Sequence, residues 1–144
     1  MHVYLDASCF NRAFDDQGQG RGRDETEAVL RILQRIVEAE DTLVWSSALT
    51  LELSAHPEPS IRSQLLSWKE RSQSAPAPSE SVCKRAEDLV NSGLKALDAA
   101  HVSFAEAARC DVFLACDDRL LRRASWLELT LRVLNPIQYV QEIS

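Results

Sequence analysis

Two short apolar runs, one at each end of the chain, stop on acids. Val3-Tyr4-Leu5 leads into Asp6-Ala7-Ser8, and Val112-Phe113-Leu114-Ala115-Cys116 leads into Asp117-Asp118. Aromatic and β-branched residues in runs this short suit buried strands. A buried strand that ends on Asp holds a carboxylate at the edge of a sheet, where open α/β folds bind their ligands. If the two strands lie parallel in one sheet, their acids converge.

The chain between them alternates. Asn11 to Arg23 is polar and holds three of the four glycines, so it reads as a mobile loop. Asp24 with Glu27 resembles a capping box, opening an amphipathic helix to about Glu40. Leu43-Val44-Trp45 reads as a strand. Ser46 and Ser47 are caps for a helix that carries Glu52 early and stops near Pro57. A helix over 60–71 follows, with Ile61, Leu65 and Trp68 on one side. Ala75-Pro76-Ala77-Pro78 is a linker or a short edge strand, too short to divide the chain.

Further helices are expected over 81–91, stopped at Gly93, and over 95–109 in an alanine-rich segment. After the Val112–Cys116 strand come a helix over 118–127, a strand over 131–134 and a helix over 137–143. Alternation of this kind predicts an α/β fold, a central parallel sheet of four or five strands covered on both faces. A length of 144 residues fits one domain, 1–144.

Composition narrows the function classes. Hydrophobic residues make up 45 % and charged ones 26 %, an ordinary soluble balance with no apolar run long enough for a bilayer. No signal-peptide pattern precedes the first strand, so a cytoplasmic location is expected. Cys9, Cys83, Cys110 and Cys116 form no C-x-x-C pair, which argues against zinc and for free, mostly buried thiols. A net charge of −6 argues against binding nucleic acid by broad electrostatics, but not against a local grip on a few phosphates.

Asp98 sits among Leu94, Ala96, Leu97, Ala99, Ala100 and Val102. A carboxylate in such company asks for a partner or a metal. Glu27, Glu38, Glu106 and Glu142 fall at positions expected to face water. Asp6, Glu52, Asp98 and Asp117 gathered at one sheet edge would repel one another, and a divalent cation removes that conflict. Oxygen ligands without a His/Cys set favour Mg²⁺ or Mn²⁺, and such a centre suits phosphodiester hydrolysis.

Tyr4-Leu5-Asp6-Ala7-Ser8 with Asn11-Arg12, then Leu51-Glu52-Leu53, Leu97-Asp98-Ala99-Ala100-His101 and Phe113–Leu121 resemble, in order, the motifs of PIN-domain ribonucleases. The likeness is greatest to VapC-like toxins of type II toxin–antitoxin systems, and it covers essentially the whole chain. It implies a three-layer α/β/α domain that cleaves RNA with Mg²⁺ or Mn²⁺, leaving a 5′-phosphate and a 3′-hydroxyl. It also implies a homodimer and inhibition by a cognate antitoxin. Carried over, Asp6, Glu52, Asp98 and Asp117 are the metal-binding, catalytic acids, with Asp118 the alternative to Asp117. Ser8 is a polar support behind them. Ala115 departs from the pattern, since many members have Thr or Ser there.

The rival reading is a catalytically weak PIN-like module that only binds RNA or a partner protein. A haloacid-dehalogenase-type phosphotransferase would want a second Asp two residues after Asp6, where this chain has Ser8. Arg12, Arg21, Arg23, Arg119, Arg122 and Arg123 flank the expected mouth of the site, where they could contact RNA phosphates, although any single arginine there is adequately explained by solvent. Trp45, Trp68 and Trp126 are assigned to core or interface packing rather than base stacking. His101, one turn beyond Asp98, is within reach of a hydrogen bond near the site but is assigned to a satisfied core position and not to catalysis.

Overall fold

The computed structural model describes residues 1–14 and 20–144. Its centre is a sheet of five parallel strands in the order β3-β2-β1-β4-β5. The strands are β1 (His2–Leu5), β2 (Thr42–Trp45), β3 (Gln73–Ser74), β4 (Val112–Leu114) and β5 (Arg132–Leu134). β1 lies between β2 and β4, with Val3 opposite Leu43 on one side and Val112 on the other. A strand covered on both faces and both edges is apolar throughout, and Val3, Tyr4 and Leu5 are fully buried. The Tyr4 and Phe113 rings stack with centroids 5.2 Å apart, which locks β1 to β4 on one face.

Eight α-helices among the described residues cover the sheet: α1 (Ala7–Phe14), α2 (Gly20–Val37), α3 (Ser47–Leu53), α4 (Pro59–Ser67), α5 (Glu80–Asn91), α6 (Ala96–Ala107), α7 (Asp118–Ala124) and α8 (Pro136–Ile143). A 3₁₀ turn, Trp68–Arg71, prolongs α4 and leads into the edge strand β3, just before the Pro76–Pro78 segment. Ser46 caps α3, its hydroxyl accepting from the Leu49 N–H. Asn135 and Gln138 form a full capping box on α8. α5 ends at Gly93, whose φ of +114° lies where a side chain is strained.

The amino-terminal third differs from expectation. Asn11 to Phe14 belong to α1, and α2 already begins at Gly20, so Asp24 lies within that helix instead of capping it. Ala7, Phe10 and Phe14 recur at helical spacing, and Ala7, Cys9 and Phe10 are buried against the sheet. Residues 15–19, where the mobile glycine-rich loop was expected, lie outside the described residues, as does the side chain of Arg21. Glu106 also departs from its water-facing assignment: Arg85 donates to it at 2.8 Å across α5 and α6, holding the carboxyl below its usual pKa against the opposing effect of burial.

Candidate active site

Parallel strands carry their carboxyl ends to one edge, and β1 and β4 both hand over to acids there. Asp6 follows β1 directly, and its backbone N–H still donates to Leu114 O at 2.9 Å, which prolongs the ladder into the acid itself. Asp117 follows β4 after Ala115 and Cys116. Glu52 comes from the last turn of α3, not its start, and Asp98 from the first turn of α6. Four elements therefore send acids toward this edge, but among the described residues only Asp6 and Glu52, with His101, come within ligand distance of one another. Asp98 and Asp117 lie outside that group, and their link to it is electrostatic.

Asp6 is buried, and Ser8 fixes it. The Ser8 hydroxyl donates to Asp6 Oδ2 at 2.7 Å and accepts from the Cys116 N–H at 3.1 Å. One side chain thus couples the ends of β1 and β4. Ala115 is fully buried, with its N–H committed to Leu134 O. The cross-strand link is therefore made from Ser8, and it does not require a hydroxyl at position 115.

His101 was assigned to core packing, and the structure gives it more to do. It is fully buried one turn beyond Asp98 on α6. Its Nε2 lies 2.7 Å from Glu52 Oε1 and 4.0 Å from Asp6 Oδ1. Its Nδ1 lies 2.6 Å from the Tyr4 hydroxyl, which in turn lies 2.6 Å from Ser46 Oγ. Burial pushes the Tyr4 phenol well above its ordinary pKa, so the hydroxyl keeps its proton. A carboxylate only accepts, so His101 Nε2–H donates to Glu52. Ser46, Tyr4, His101 and Glu52 then form one chain of hydrogen bonds from the cap of α3 back to its last turn. The sequence signal was the i, i+3 spacing of Asp98 and His101, which places both on one helix face.

The electrostatics of the edge are unbalanced. Burial raises the pKa of Asp6; the charge of His101 and the Ser8 hydrogen bond pull it down, Glu52 raises it again, and the net displacement is upward. Burial, then the charges of Asp6 and Asp117, push the Asp98 carboxyl from 3.8 up to about 6, with His101 opposing and Glu52 adding to the rise. Asp98 sits in the first turn of a helix, where the dipole favours a negative charge, and its pKa is raised nonetheless. Among the described residues, no lysine or arginine nitrogen comes within 4 Å of any of the four acids.

Oxygen and nitrogen atoms of Asp6, Glu52 and His101 lie within 4.8 Å of one another. With His101 Nε2 engaged by Glu52 and Nδ1 by Tyr4, the free donors are carboxylate oxygens, the set a hard divalent cation takes. Asp117 caps α7, its Oδ1 accepting from the Arg119 and Leu120 N–H groups, while its charge is felt at Asp98. Asp118 is exposed and belongs to α7 itself. Of the arginines at the mouth, Arg12 pairs with the buried Glu25 at 3.4 Å, whereas Arg23, Arg119, Arg122 and Arg123 are solvent-facing. Trp45 is buried and Trp68 half-buried, but Trp126 is 84 % exposed and is no part of the core.

No curated protein gives a significant match to the sequence. The crystal structure of VapBC2 from Rickettsia felis, bound to a DNA fragment from its promoter, holds a chain of similar fold. The two superpose with a TM-score of 0.64 over 94 % of this chain and 98 % of that one, at 13 % sequence identity. No helix among the described residues is long and apolar enough to cross a membrane. The family model described as PIN domain matches residues 3–127, and the chain belongs to the PIN domain family.

Proposed function

We propose that this PIN domain is a metal-dependent endoribonuclease that hydrolyses RNA phosphodiester bonds, and that it is the toxin of a toxin–antitoxin pair. The observation that carries the reading is the gathering of Asp6 and Glu52 at the carboxyl edge, with Asp98 raised by the charges of Asp6, Asp117 and Glu52, and with no lysine or arginine nitrogen within 4 Å of these acids among the described residues. Buried like charges raise one another's pKa and cost stability, so a cluster without a cation is poorly explained as structural.

These four carboxylates would hold Mg²⁺ or Mn²⁺. Bound there, such an ion supplies charge to polarise a phosphoryl oxygen and lowers the pKa of a water that attacks it. The chain's own residues pre-position the donors. Ser8 holds Asp6 by Oδ2, and His101 holds Glu52 by Oε1, leaving Asp6 Oδ1 and Glu52 Oε2 outside those hydrogen bonds. His101 acts through Glu52, as an outer hydrogen-bond partner acts through a ligand, and is a positioning residue. Asp117 offers Oδ2 while Oδ1 caps α7. The resemblance to VapC-like toxins, with the fold shared with a VapBC2 chain, is what supports a cognate antitoxin, a homodimer and a cytoplasmic location.

Digestion of RNA by the purified protein, with Mg²⁺ or Mn²⁺ and with EDTA, tests the assignment when the new ends are sequenced. Cleavage confined to the metal-containing reactions and leaving 5′-phosphate ends is expected. Absence of cleavage, together with no uptake of Mn²⁺ in a titration, would transfer the chain to the binding-module reading.

A further inference from the structure

We propose that the cleft formed by Arg119, Arg122, Arg123 and Trp126 is a second subsite for single-stranded RNA. A base stacks on the Trp126 indole, and the flanking phosphates lie against the three guanidinium groups. The proposal rests on the nuclease reading for its ligand, and it adds a site outside the acid edge.

Trp126 follows α7 and is 84 % exposed, against 3 % for Trp45. The Trp45 indole N–H donates to Thr50 Oγ1 at 2.8 Å, whereas among the described residues Trp126 has no such partner. A large aromatic face left in water does nothing for the fold, and every nucleobase presents a π-face that can cover it. With Ser92, the three arginines and Trp126 enclose a cleft of about 670 Å³.

The charge around it is clustered. Arg12, Arg35, Arg85 and Arg132 each pair with a carboxylate, while Arg23, Arg31, Arg62, Arg71 and Arg109 do not among the described residues, so what sets this cleft apart is that three such arginines line one wall. Arg119, Arg122 and Arg123 have no acid within 4 Å among the described residues, in a chain whose net charge is −6. The helix dipole accounts for Arg122 and Arg123, which lie in the last turn of α7. It does not account for Arg119, near the amino-terminal end of the same helix, where a cation is disfavoured. Unpaired guanidinium groups beside an aromatic face match the chemistry of a phosphate backbone carrying stacked bases.

Position ties the cleft to the acids. Arg119 and Arg123 also line a narrow depression with Asp98, Gly93 and Lys95, so the basic wall runs from the acid edge out to Trp126. Arg123 lies across Gly93, where an added Cβ would sit 3.3 Å from its Nη1.

The test is binding of a fluorescently labelled single-stranded oligoribonucleotide of about 12 nucleotides to the full chain in EDTA, with Mn²⁺-dependent cleavage measured in parallel. Trp126→Ala should weaken binding about tenfold, as expected for one lost stacking contact, and Trp126→Phe should restore most of it. Arg122→Ala should lower the slope of log affinity against log salt by about 0.7, one phosphate contact on a single strand. Tryptophan emission of the parent should be quenched by the RNA, and Trp126→Phe should remove that quench.

Unchanged affinity and salt slope in Trp126→Ala and Arg122→Ala would overturn the subsite, and the nuclease reading would stand if the parent still cut RNA. Binding lost with Trp126 in a parent that never cuts RNA would sink the nuclease reading alone. A parent that does not bind the oligoribonucleotide overturns the subsite. So does a Trp126→Ala variant that turns a sedimenting dimer into a monomer with RNA affinity intact, since the face then belongs to a second copy.

Discussion

Asp6 and Asp41 are both buried aspartates at ends of the same parallel sheet, and their surroundings are opposite. Asp41 lies just before β2, at the amino edge. Arg35 Nε donates to it at 2.9 Å, Tyr139 donates at 3.0 Å, and the amino terminus lies 3.3 Å away. Burial pushes the Asp41 carboxyl up, but these partners outweigh it and hold the pKa below the usual carboxylate range. Asp6, at the carboxyl edge, has a serine, a histidine 4.0 Å away and other acids, and its pKa is raised. One fold thus contains a buried acid with its countercharge built in and another without. The first arrangement stabilises the sheet; the second leaves room for a charge brought from outside.

The largest effect expected from breaking this contrast is on cleavage. Asp6→Ala and Asp98→Ala should each lower the initial rate on one RNA by on the order of 10³-fold, since a metal supplies several kcal/mol to the transition state. The double variant should be little worse than either, because ligands of one centre act as a unit. Full activity of Asp98→Ala would sink the four-acid mechanism.

At the amino edge the loss should appear in folding instead. Asp41→Ala strips a buried pair and should cost about 3 kcal/mol in denaturant unfolding, the low end for such a pair because Arg35 keeps Glu40 at 2.7 Å. If Asp41→Ala unfolds at the parent's midpoint, the two edges do not differ as described.

Asp98→Asn should act in the opposite sense, raising stability in EDTA at pH 7 by about 1 kcal/mol after allowance for its partial exposure. A folded-state pKa of about 6, above 3.8 unfolded, means that the folded chain holds the proton more tightly. Stability gained from that proton is present at low pH and lost as pH rises between these values. The advantage of Asp98→Asn should therefore shrink as pH falls from 7 to 5 in thermal melts. Mn²⁺ should raise the melting temperature of the parent more than that of the variant. A stability difference that stays flat with pH would mean that Asp98 is already balanced.

The smallest contrast lies between neighbours. Asp117→Ala should lose the α7 cap, about 1 kcal/mol, together with cleavage, whereas Asp118→Ala should leave both near parental levels. Equal losses of cleavage in the two variants would show that the register of the last acid was misread.

The strands and most helices were legible because burial on both faces writes itself as short apolar runs, and caps such as Ser46 and the Gly93 stop are local. α1 was missed although Ala7, Phe10 and Phe14 carry its period, because Asn11 and Arg12 interrupt the apolar face and glycines follow. Gly20 and Gly22 in the first turn of α2 obscured its start, each costing about 1 kcal/mol relative to alanine in a helix interior. The acids were visible as residues out of keeping with their neighbours. The spacing of His101 from Asp98 put it within reach of the site, but its partners, Tyr4 and Glu52, were not legible, being 97 and 49 residues away. Exposure of Trp126 was equally closed to view, because composition does not say which tryptophan the core leaves out.

The hydrogen bond from Cys116 N–H to Ser8 has a consequence for synthesis. It joins residues 108 positions apart, and β1 gains its β4 neighbour across a similar span. Pairing over such a distance waits until β4 has left the ribosome. Until then Asp6 has no β4 beside it and Asp117 has not been made. A nascent chain ending before β4 lacks Asp117 and the Cys116 N–H that donates to Ser8, so translation of β4 is what arms the centre.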